Sequence, residues 1–71
     1  MESSKAPSRG EKTRDALLIA AMDIFGRAGY DAASNRAIAD AAGTNQALIS
    51  YHFGSKRGLY LAVFEHIKQQ M

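Results

Sequence analysis

Apolar side chains return along this chain at helical intervals. Leu17, Ala20, Ala21, Ile24, Phe25 and Ala28 stand at i, i+3, i+4, i+7, i+8 and i+11, a spacing that gathers them on one face and predicts a helix from Thr13 to Gly29. Tyr30 to Ala33 make a short connection. Ser34 or Asn35 is placed to cap a second helix by accepting a hydrogen bond from a first-turn amide, and Ile38, Ala41 and Ala42 supply its apolar stripe. Gly43 stops it after barely two turns. Thr44 and Asn45 are both capping types, and a third helix is expected from about Gln46 to Phe53. Gly54 ends that helix, Ser55 caps a fourth, and Leu59, Ala62, Val63 and His66 carry the helical period towards the C-terminus. No stretch alternates with period two over a useful length. The fold class is therefore all-α, with two brief helices on either side of a glycine turn, the signature of a helix-turn-helix.

The third helix holds the candidate chemistry. At 100° per residue, Gln46, Ala47, Ser50 and Tyr51 share one arc of about 140°, while Leu48, Ile49, His52 and Phe53 fall opposite. The second arc can pack on the first two helices. The first offers an amide, a methyl, a hydroxyl and a phenol outward, groups suited to adenine edges, the thymine methyl and phosphates. A merely solvated polar face is the competing reading.

Composition narrows the classes. With 71 residues, 46% hydrophobic and 23% charged, the chain has room for one small domain and not for a multidomain enzyme. Cores of this size often lean on disulfides, metals or partner chains. There are no cysteines, and His52 and His66 have no thiolate beside them, so no structural metal is expected and a partner surface is the remaining support. The longest apolar stretch, Ala16 to Met22, is far short of a membrane span, and no secretion signal precedes it, so no membrane role and a cytoplasmic location are expected. Nine Lys and Arg against seven Asp and Glu leave a net charge of +2, which permits a polyanionic partner without demonstrating one. Residues 1–12 contain the single proline and a basic excess, and read as a flexible arm ahead of a helical domain at 13–71.

From Lys12 to about Ile67, the chain resembles the N-terminal DNA-binding domain of the tetracycline-repressor (TetR) family of bacterial transcriptional regulators. The resemblance is carried by the segment from Ser34 to Leu59, SNRAIADAAGTNQALISYHFGSKRGL, in which Arg, Ile-Ala, Ala-Gly, aromatic-His-Phe and Lys-x-x-Leu follow one another at matching intervals, behind an upstream FGRAGY block at Phe25 to Tyr30. It implies a three-helix, homeodomain-like helix-turn-helix domain with the start of a fourth helix, its third helix lying in the major groove. Carried over position by position, Arg36 reaches a base or phosphate, Gln46 and Ala47 meet base edges, and Tyr51, His52 and Lys56 touch phosphates. Ser34, Asn35, Asn45 and Ser50 complete the expected DNA-binding set. Free amides and the positive end of a helix favour an anion beside Ser55 and Lys56, which agrees with the lysine's role. Arg57 either adds to this or faces water. His52 is either a phosphate ligand or a histidine at the edge of the core, and Phe25 and Tyr30 read as core. Two positions depart from the family pattern: Ser50 replaces a usual tyrosine, and Thr44 stands where a valine usually packs, its hydroxyl free to cap the third helix instead.

The resemblance further implies a palindromic double-stranded operator, a location in the bacterial cytoplasm with nucleoid association when bound, and a C-terminal domain absent from this chain that dimerises and binds a small-molecule inducer. A second apolar stripe on the fourth helix, Tyr60, Phe64, Ile67 and Met71, gives the same expectation of a covering partner. No enzyme is expected: Ser50 and His52 face different directions, and neither G-x-S-x-G nor a phosphate-loop spacing occurs. No cofactor is expected either. The alternative function is a small helical protein-interaction module.

Overall fold

The computed structural model describes residues 9–70, which form α1 (Arg9–Ala28), α2 (Asn35–Ala42), α3 (Ala47–Phe53) and α4 (Lys56–Gln70), with no strand among the described residues. Each helix gives the core one large side chain that is fully enclosed: Leu17, Ile38, Ile49 and Leu59. Burying an aliphatic side chain of that size is worth about 1.5–3 kcal/mol, so these four hold the helices together from a single point. Leu18, Ala21, Phe25, Ala33, Ala39 and Val63 close around them.

α1 begins four residues before the expected Thr13. Residues 10–12 are exposed, so this first turn has no apolar face for periodicity to detect; Glu11 still favours it by lying at the positive end of the helix. The arm expected over 1–12 is thus helical from Arg9, and residues 1–8 lie outside the described ones. Two stripes are also rotated from expectation. In α1 Leu18 is buried and Ala28 exposed; in α2 Ala39 takes the inward place expected for Ala41, which faces solvent. Alanine carries little information on direction, and the choice is made by Ile38 together with its neighbours at 35, 39 and 42.

Local signals fix the short helices. Ser34 is the N-cap of α2, its Oγ accepting from the Ala37 N–H at 3.0 Å. At the other end Gly43 is left-handed (φ 74°), and the N–H groups of Gly43 and Thr44 donate to Asp40 and Ala39 carbonyls at 3.1 and 2.9 Å. This Schellman arrangement satisfies carbonyls that the helix leaves free. Thr44 therefore closes α2 through its backbone, and α3 starts without the expected hydroxyl cap: its N-cap residue is Gln46, with no side-chain hydrogen bond. Ser55 does cap α4, accepting from Gly58 N–H at 3.1 Å. The same glycine is a point of close approach, because a Cβ there would collide with the carbonyl oxygen of Phe53.

Candidate nucleic-acid interface

Two groups of the expected residues, one at the start of α2 and one around α3, meet solvent. Ser34 and Arg36 at the start of α2, and Asn45, Gln46, Ala47, Ser50 and Tyr51 around α3, are all exposed, Tyr51 most of all at 79%. The opposite arc of α3 packs inward as the wheel predicts, with Ile49 fully enclosed and Leu48, His52 and Phe53 half-buried. Four outward polar or small side chains therefore rest on a helix whose inner face is anchored.

Three of the expected residues are more constrained. Asn35 is half-buried, and its Oδ1 is enclosed without a hydrogen-bond partner, so that oxygen is withdrawn from the exposed set. His52 lies between the rings of Tyr51 and Phe53, with centroids 4.9 and 6.2 Å away, at the edge of the core. Lys56 is half-buried, its Nζ lying 4.4 Å from the centroid of the Tyr30 ring. Arg36 is 80% exposed and 4.0 Å from Asp40 through Nε, an exposed pair worth little and easily exchanged for a stronger acceptor. Arg57 is exposed and lines a shallow concavity of about 360 Å³ with Tyr30, Tyr60 and Leu61.

Two features escaped the sequence reading. Arg14, which lies inside the first expected helix and receives no role from the spacing, is on α1 with its guanidinium 5.0 Å from the centre of the ring of Phe53, the last residue of α3. Its position, three and four residues before Leu17 and Leu18, was the available signal. Beneath Lys56 lies an aromatic group: Phe25, Tyr30 and Tyr60 meet with centroids 4.7–5.7 Å apart, and Phe64 adds an edge contact to Tyr60 at 4.8 Å. Phe25 and Tyr30, expected as core, are indeed buried and partly buried against it.

Residues 17–63 match the model of a family described as "Bacterial regulatory proteins, tetR family". Among curated proteins, the chain is similar to the HTH-type transcriptional repressor NicS of Pseudomonas putida, 37% identical over 83% of this chain and 28% of that protein. It is 46% identical to the HTH-type transcriptional activator FasR of Mycolicibacterium smegmatis, over 78% of this chain and 25% of that protein. The HTH-type transcriptional dual regulator CecR of Shigella flexneri is also 46% identical, over 83% of the chain and 26% of its own length. The chain thus spans about a quarter of the length of these relatives. No solved structure matches it significantly.

Proposed function

Because this chain belongs to the tetR family of bacterial regulatory proteins, we propose that it is the DNA-reading domain of a transcriptional regulator, with α3 in the major groove. The observation that carries this reading is the division of α3: Gln46, Ala47, Ser50 and Tyr51 are all exposed while Ile49 on the other side is fully enclosed. An anchored helix offering an amide, a methyl, a hydroxyl and a phenol can present them to base edges at fixed spacing. Arg36 reaches a base or phosphate from the start of α2, and Gln46 and Ala47 meet bases. Tyr51, His52 and Lys56 take phosphates, with Ser34, Asn35, Asn45 and Ser50 completing the contact zone.

For the whole protein we carry a homodimer on a palindromic double-stranded operator in the bacterial cytoplasm, nucleoid-associated when bound. A C-terminal domain provides the dimer contact and the inducer site. Linking two readers raises the effective concentration of the second half-site contact. Repression is the simplest outcome, since occupying an operator excludes other proteins without a further surface.

Selection of duplexes from a random pool, followed by titration of Arg36→Ala and Gln46→Ala, tests the reading. Each substitution is expected to cost about 1–3 kcal/mol on the best site and to change sequence preference. Affinity that does not fall with added salt would favour a protein-interaction module instead, because phosphate contacts release counterions and apolar protein contacts do not.

A further inference from the structure

Lys56 is expected at a phosphate, yet a lysine is a flexible four-carbon stem, and holding its ammonium in one place costs rotamer freedom. The structure supplies a reason why that cost is already met before DNA arrives. Tyr30, on the α1–α2 connection, turns its ring face to the Lys56 Nζ at 4.4 Å, and the ring is itself fixed between Phe25 at 5.7 Å and Tyr60 at 4.7 Å. A ring occupies one side of an ammonium and leaves N–H donors for a second acceptor. We propose that Tyr30 is a positioning residue that holds Lys56 ready for a DNA phosphate, an inference that rests on the DNA-reading function above.

Salt dependence separates the two residues. Lys56 carries the charge, so Lys56→Ala should lower the slope of log affinity against log salt by about 0.9. Tyr30 carries none, so Tyr30→Leu should leave the slope unchanged and weaken binding about two- to fivefold at every salt concentration. Tyr30→Phe retains the ring face and should bind as the unaltered protein does. In the Lys56→Ala background, Tyr30→Leu should have no further effect.

These titrations use a duplex selected from a random pool, with circular dichroism on each variant. Proton–carbon NMR of the free protein adds a reading independent of DNA. The Lys56 ε-protons should be shifted upfield by the ring in the unaltered protein and in Tyr30→Phe, and should return to the ordinary lysine position in Tyr30→Leu. Equal losses from Tyr30→Leu with and without Lys56, or unshifted ε-protons in the unaltered protein, would overturn the positioning role while leaving the DNA reading intact. A protein that binds no duplex would overturn both.

Discussion

The α2–α3 side and the outer side of α4 rest on the same core and meet the solvent in opposite ways. On the first, two helices of eight and seven residues, with Gln46 at the cap of the second, expose Arg36, Gln46, Ser50 and Tyr51. On the second, one helix of fifteen residues exposes Leu61, Phe64 and Ile67, at 53%, 49% and 39%. The polar side is at ease in water and gains only from a partner with complementary hydrogen-bonding groups and charge. The apolar side gains from any surface that removes it from water, as contiguous exposed apolar groups do at protein contacts. One small core therefore supports two surfaces suited to different kinds of partner, and the experiments that follow ask whether the two can be altered separately.

The largest effect should come from the core they share. Ile49 is fully enclosed beneath the outward face of α3, and Ile49→Ala is expected to destabilise the domain by about 2–5 kcal/mol through lost burial and the cavity left behind. Chemical denaturation followed by circular dichroism measures this. Because α1, α2, α3 and α4 each contribute one enclosed residue to that core, both sides should melt in one transition. An α4 signal that survives after α3 has unfolded would show two independent regions.

Gly58 lies on the seam between the two sides and should come next. In an exposed helical turn, exchanging Gly for Ala normally stabilises by about 0.5–1 kcal/mol. Here the added Cβ collides with the Phe53 carbonyl at the end of α3, so Gly58→Ala is expected to destabilise by about 1–3 kcal/mol, the usual cost of overpacking. A rise in thermal midpoint would mean that α3 and α4 are free to separate.

This seam also marks how far the sequence could be read. The four helices, the Ser55 cap, the glycine stops and the two arcs of α3 follow from spacing and residue type, because each depends on neighbours a few positions away. Ser34 and Asn35 were equivalent candidates for the α2 cap; the fold chooses Ser34 and encloses the Asn35 oxygen. Alanine-rich α2 gave the wrong stripe member for a similar reason, since Ala39 and Ala41 differ only in what lies opposite. Long-range contacts were not legible at all. Arg14 on Phe53 and Lys56 on Tyr30 join residues distant in the chain; local spacing can put Arg14 on the inward side of α1 but names neither ring.

A smaller loss, confined to the polar side, is expected from Ser34→Ala. Its Oγ accepts the Ala37 N–H at 3.0 Å, and loss of such a cap typically costs about 1 kcal/mol. Native-state hydrogen exchange should show faster opening of the first turn of α2, while amides of α4 change only as far as global stability changes. Uniform acceleration in both helices would tie the polar side to α4 more tightly than its local caps imply.

The smallest stability effects are expected where both sides meet water, and there the contrast becomes sharpest. Tyr51 is 79% exposed and Ile67 39% exposed, so truncating either removes few packing contacts. Tyr51→Ala and Ile67→Ala should each shift unfolding free energy by no more than about 0.5 kcal/mol. Their effects on partners should diverge. Tyr51→Ala removes a phenol from the outward arc of α3 and should weaken binding to a selected duplex, whereas Ile67→Ala should leave duplex affinity unchanged and reduce self-association measured by sedimentation at high concentration. Neither substitution changes charge, so a difference in binding cannot come from long-range attraction to DNA and must arise from the face each residue occupies. Equal duplex binding by the two variants would remove Tyr51 from the contact zone and leave the two sides distinguished by hydropathy alone.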